Sequence, residues 1–176
     1  MRVTGGQYNG RTIKCPKGII RPAMDRMRES MFSILGSMDG LSFLDIFSGS
    51  GSVGIEAASR GAYPVHLVEK DHIKKKTIEE NISWVDSEIR LFLMPAEKYL
   101  RRFTNEYDFV HLDPPFPFKQ KLEVLELAES SGVVKIGGTL TLHYPGEESF
   151  PDKLGSFRRY DLREYGRSKL IFYTRD

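Results

Sequence analysis

Two short stretches of the chain carry residues that could do chemistry. The first is His-Leu-Asp-Pro-Pro-Phe at residues 111–116. The run before Asp113, from Tyr107 to Leu112, reads as a buried strand. Proline has no N–H for a sheet ladder, so the strand must end at Asp113. The result is a carboxylate at a strand tip, a stiff corner at Pro114 and Pro115, and a ring at Phe116. Two fixed φ angles hold acceptor and ring in a set relation with little entropy left to lose on binding. An acceptor beside a stacking face suits a flat ligand bearing an amino group. The same residues equally describe a proline-rich turn closed by a capping aspartate.

The second stretch is Leu-Asp-Ile-Phe-Ser-Gly-Ser-Gly-Ser-Val-Gly at residues 44–54. Gly49, Gly51 and Gly54 give the spacing G-x-G-x-x-G directly after a strand and at the start of a helix, where glycine allows a tight turn and close approach of a ligand. Glu69 ends the next strand, at the distance where a carboxylate meets ribose hydroxyls. Asp45 lies four residues ahead of the first glycine, and a negative charge there fits a cationic ligand better than a pyrophosphate. S-adenosylmethionine carries an ammonium and a sulfonium, and its carboxylate suits a helix N-terminus. Asp45 either contacts such a ligand or shapes the loop through backbone N–H groups.

Holding these groups requires alternating strands and helices. Strands are expected at 41–47, 64–70, 89–94, 107–113 and 139–144, with two late ones near 157–162 and 169–174. Helices are expected around Val53–Ser59, His72–Trp84, Ala96–Phe103 and Lys119–Ser130. This alternation predicts a mostly parallel, seven-stranded α/β sheet covered on both faces. The last two strands are separated only by a turn near Tyr165 and Gly166, which places an antiparallel strand near one edge. Residues 1–40 form a separate piece in this reading, a small β-hairpin turning at Tyr8-Asn9-Gly10 and an amphipathic helix with Met24, Met27, Met31, Ile34 and Leu35 along one stripe. Residues 41–176 form the main domain.

The composition excludes several classes. With 176 residues and 40% of them hydrophobic, the chain can bury one ordinary core. Cys15 is the single cysteine, which excludes an internal disulfide and a cysteine-cluster metal site and fits a reducing, cytoplasmic setting. The four histidines lack metal-ligand spacing, so no metal is expected, and His66, His111 and His143 are assigned packing roles. No apolar run is long enough for a bilayer, and the N-terminus lacks the apolar core of a signal peptide. The net charge is +2, but residues 1–40 hold seven cations against three anions. That basic end is a modest sign of a polyanionic partner.

Five blocks, RVTGGQYNGRTIKCP, RPAMDRMRESMFSIL, LDIFSGSGSVGIEAASRGA, LVEKD and LDPPF, resemble, in order and spacing, the bacterial 16S ribosomal RNA guanine-N2 methyltransferase family (RsmD-type). The glycine pattern and D-P-P-F occur widely. The combination of RP-x-x-DR-x-RE with GSG-x-x-G-x-EA-x-SRGA is far more specific. The resemblance implies a Rossmann-like class I S-adenosylmethionine-dependent methyltransferase acting on the exocyclic amine of one guanine in small-subunit ribosomal RNA.

By the same resemblance, Asp45, Phe47, Gly49, Gly51, Gly54, Glu69 and Ala96 surround the cofactor, and Asp113, Pro114, Pro115 and Phe116 form the target-base site. Arg2, Arg11, Arg21 and Arg28 are the expected RNA contacts, with Arg21 and Arg28 favoured because they belong to the specific block. The expected partner is 16S rRNA within the small subunit or an assembly intermediate, met by a monomer. Other amine targets, adenine N6 or cytosine N4, are compatible with D-P-P-F, and a noncatalytic RNA-binding factor on the same fold is a reading from a different class. Two positions depart from the family pattern. Pro95 stands where an Asp or Asn usually precedes the alanine, and His143-Tyr144 stand where a glutamate usually follows the strand.

Overall fold

The structure is a computed structural model that describes residues 1–15 and 22–176, with side chains throughout except at 22–24. In chain order the elements are α1 (Pro22–Leu35), β1 (Phe43–Ile46), α2 (Ser52–Ser59), β2 (Val65–Glu69), α3 (Lys75–Ile82), β3 (Ile89–Leu93), α4 (Ala96–Arg102), β4 (Tyr107–Leu112), α5 (Lys121–Ser131), β5 (Val134–Pro145), β6 (Lys153–Leu154), β7 (Phe157–Tyr165) and β8 (Ser168–Arg175). One sheet holds all the strands in the order β3-β2-β1-β4-β5-β8-β7-β6. Strands β1 to β5 pair in parallel, whereas β8 is antiparallel to both β5 and β7.

The expected antiparallel insertion near the edge is therefore present, but the sheet has eight strands rather than seven. The extra strand, β6, is a two-residue antiparallel partner of β7, too short to carry any periodic signal. The fifth strand also begins earlier than expected, at Val134. Its offset from β4 is 27 residues at Tyr107–Val134 and 30 at Phe109–Thr139, so a bulge divides it.

Alternation along the strands sorts the core into two layers. Leu44 and Ile46 of β1 face α4 and α5, where Tyr99, Leu100, Val124 and Leu125 join Val110, Leu112, Leu140 and Leu142. Phe43 faces the other way, onto Met27, Met31 and Phe32 of α1 and Val53, Ala57 and Ala58 of α2. The N-terminal arm makes the expected antiparallel pairing, reduced to one bridge between Arg2 and Thr12. Its Val3 and Ile13 are buried against Ile55 of α2. Among the described residues, no helix is long and apolar enough to cross a membrane.

A candidate active site at the carboxyl ends of the parallel strands

Strands β2 and β4 flank β1, and the chain winds away from β1 in opposite directions, so a crevice opens beyond the carboxyl end of β1. The loop after β1 turns through left-handed backbone at Phe47 (φ 64°), Gly49 (φ 58°) and Gly51 (φ 80°). Gly49 and Gly51 adopt this region without steric penalty, whereas Phe47 holds it as a bulky residue, an arrangement that occurs where surrounding structure over-determines it. The Phe47 ring lies 5.4 Å from that of Phe118. Gly54 serves packing instead: a Cβ there would come within 2.2 Å of Leu67 Cδ2. Its absence lets α2 sit close on β2.

Asp45 is 1% exposed. Its Oδ2 accepts the Gly54 N–H at 3.1 Å, so it does shape the loop. Its Oδ1 is buried and has no hydrogen-bond partner among the described residues. Burial pushes the carboxyl well above its ordinary range, with the nearby Asp113 and Glu69 adding to the rise and the Gly54 N–H opposing it. A buried acceptor in a negative field is a place for a cation. Glu69, at the end of β2, accepts the Gly49 N–H at 2.9 Å and the Asp71 N–H at 2.9 Å, and Lys74 Nζ lies 3.4 Å away. The third strand joins through Met94, whose N–H donates to Glu69 O at 3.0 Å. Ala96 follows two residues later, buried at the start of α4 in the core with Tyr99 and Leu100, while Pro95 is exposed at its cap.

Asp113 follows β4 directly, and its N–H donates to Ile46 O at 3.1 Å. The amine-accepting candidate is thereby docked against the end of β1 and the loop it begins. Pro114 is buried, Pro115 exposed and Phe116 half-buried. Two residues that sequence reasoning did not place here complete the site. His143 Nδ1 lies 2.8 Å from Asp113 Oδ1, and its ring centroid is 5.3 Å from that of Phe116. The packing role expected of His143 is corrected accordingly. Lys121, only 3% exposed, donates to the carbonyls of Phe116 at 2.8 Å and Phe118 at 2.6 Å and pairs with Glu148 at 2.8 Å. Sequence reasoning did not single it out, because a lysine at a helix start carries no sign of what its ammonium reaches.

His111 and His66 keep packing roles. His111 is fully buried, with Nδ1 2.7 Å from Thr141 Oγ1, and burial depresses it to a pKa of about 4. His66 lies 2.5 Å from the Tyr107 hydroxyl. Of the expected RNA contacts, Arg2 is exposed, Arg11 is exposed and stacks over Trp84 at 4.2 Å, and Arg21 lies outside the described residues. Arg28 is a correction. It is 1% exposed, with Nε 3.2 Å from Glu56 Oε2, Nη2 3.0 Å from Asp25 Oδ1, and a further bond to the Arg2 carbonyl. A guanidinium enclosed in this way has no face left for a phosphate.

Comparison with known proteins follows the same lines. The family model described as Conserved hypothetical protein 95 matches residues 1–174. The chain is 32% identical over 179 residues to Ribosomal RNA small subunit methyltransferase D of Escherichia coli strain K12, covering 100% of this chain and 90% of that protein. It is 28% identical over 182 residues to YlbH of Bacillus subtilis, covering 99% of each. The solved structure of Escherichia coli yhhF superposes with a TM-score of 0.91 at 28% identity, covering 100% of this chain and 98% of that one.

Proposed function

The chain belongs to the family of the small-subunit ribosomal RNA methyltransferase D proteins, and we propose that it transfers a methyl group from S-adenosylmethionine to the exocyclic N2 of a guanine in small-subunit ribosomal RNA. The observation that carries this reading is the docking of Asp113 on Ile46 O, which puts an amine acceptor beside the glycine loop. The residues fit the cofactor. Asp45 Oδ1 is a buried acceptor suited to a cation, a Cβ at Gly49 would meet only the Phe47 carbonyl at 4.0 Å, so the backbone there leaves room for close approach while Gly51 turns toward Leu67 and Ile78, and Glu69 at the strand end suits ribose hydroxyls. Ala96 would lie against the adenine, where Pro95 brings no side-chain acceptor. When bound, the cofactor supplies an electrophilic methyl group on sulfur.

A guanine amino nitrogen is a poor nucleophile because its lone pair is delocalised into the ring. Asp113 accepts a hydrogen bond from the amine and favours a more tetrahedral nitrogen, whose lone pair then points at the methyl carbon. With the cofactor bound, the nitrogen held here would take the methyl group, the C–S electron pair staying on sulfur, and would then release its proton to water. Alignment of the reacting atoms at about 3 to 3.5 Å accounts for most of the rate gain. Asp113 acts by orientation and charge, since a methylated, cationic nitrogen loses its proton without a strong base. Phe116 stacks on the base, a contact worth about 1 to 3 kcal/mol. The base must be single-stranded or flipped out to reach this edge. Residues 1–40 serve as an RNA-contacting extension, with Arg2 and Arg11 on phosphates.

The test is transfer of labelled methyl to small ribosomal subunits, or assembly intermediates, that lack the modification, with the product nucleotide mapped. Wild type is expected to label one guanine N2, and Asp113→Ala to lower the rate about 100- to 1,000-fold while still binding S-adenosylmethionine. Label on an adenine N6 or cytosine N4 would replace the guanine assignment. Cofactor binding without transfer to any RNA would end the reading.

A further inference from the structure

We propose that His143 is a positioning residue for this methyl transfer: its Nδ1–H holds the Asp113 carboxylate in the orientation that the incoming amine needs. The inference rests on the function proposed above. An ionised carboxylate only accepts, so the 2.8 Å contact assigns the proton to Nδ1. The Nε2 of the same ring is buried and has no hydrogen-bond partner among the described residues, so a proton placed there instead would meet no acceptor. The tautomer is therefore set by Asp113, and in return the imidazole fixes one carboxylate oxygen.

The contact is built by the sheet. The offset of 30 residues that relates Phe109 to Thr139 and Leu112 to Leu142 continues to Asp113 and His143, which places both side chains on one face at the strand ends. The imidazole also lies against the Phe116 ring at 5.3 Å, so one side chain braces both the acceptor and the stacking ring. Lys121 clamps the far side of the same loop through two carbonyls. Among the described residues, the charged and titratable groups around the pair include Asp45 on β1 and His111 on β4, both of which feel Asp113, with Lys121 of α5 on the loop itself.

Two substitutions separate the hydrogen bond from the ring. In Asn the amide nitrogen occupies the same branch position as histidine Nδ1, so His143→Asn keeps a donor and loses the ring. His143→Phe keeps a ring against Phe116 and loses the donor. With the RNA on which wild type is active, His143→Phe is expected to lower kcat about 10- to 100-fold with the KM for S-adenosylmethionine within about twofold, and His143→Asn to stay within about fivefold of wild type. A residue that merely packs would give the reverse order. The reverse order, equal activity in both variants, or loss of cofactor binding and of the melting transition in both, would each overturn the proposal while leaving the functional reading in place. Failure of wild type to methylate any RNA would remove the premise of both.

Discussion

Asp45 shows how one residue sets stability against binding. Its carboxyl is held well above the ordinary value of 3.8, chiefly by burial. A carboxyl raised on folding binds its proton more tightly in the folded chain, so its contribution to stability is fully present below about pH 3.8 and is lost as pH rises through the raised value. Asp45→Asn retains an oxygen for the Gly54 N–H and removes that loss. It is expected to be more stable than wild type near neutral pH, with the difference vanishing towards acid, as followed by denaturant titration at a series of pH values. The same variant should bind S-adenosylmethionine at least about tenfold more weakly, because the charge-assisted hydrogen bond proposed for the cofactor would be gone. The sequence placed Asp45 at the loop and left open whether it bonds the backbone or a ligand. The structure assigns one oxygen to the backbone, and the other has no hydrogen-bond partner among the described residues.

At the scale of elements, the contact of α2 with β2 depends on a missing side chain. Gly54 faces Leu67 so closely that Gly54→Ala should destabilise the fold by about 1 to 3 kcal/mol through overpacking. Leu67→Ala in the same chain should recover part of that loss, so a double-mutant cycle by chemical denaturation would show strong coupling. Losses from the two single substitutions that simply add in the double variant would disprove the close approach. Most elements were legible because their apolar spacing is regular over five residues or more. The exceptions have local reasons. Strand β6 is two residues long, the expected helix from His72 opens with a 3-10 turn at His72–Lys74 before α3, and β5 is interrupted by the bulge before Thr139.

For the molecule as a whole, Glu56 ties the N-terminal segment to the body. Fully buried, it accepts from the Thr4 N–H and hydroxyl, from Arg28 and from Arg60. The two most specific sequence blocks thus meet in a buried ion-pair network, and their specificity reflects assembly of the fold. Arg28→Ala leaves Glu56 short of a partner and should destabilise by about 3 to 5 kcal/mol, while the salt dependence of RNA binding by the folded fraction stays as in wild type. A smaller slope would instead restore Arg28 as a phosphate contact. Sequence alone determined the alternation of strands and helices, the glycine loop with Asp45 and Glu69, and the stiff acceptor-and-ring motif from Asp113 to Phe116, because these follow from periodicity and from glycine and proline stereochemistry between near neighbours. Only the tertiary structure decided that Arg28 is enclosed, that Lys121 clamps the loop and that His143 faces Asp113. The Arg28–Glu56 and Asp113–His143 contacts join residues far apart in the chain, the Lys121 clamp depends on how the turn before α5 folds back on it, and the His143 contact depends on a bulge that shifts one strand by three residues against its neighbour.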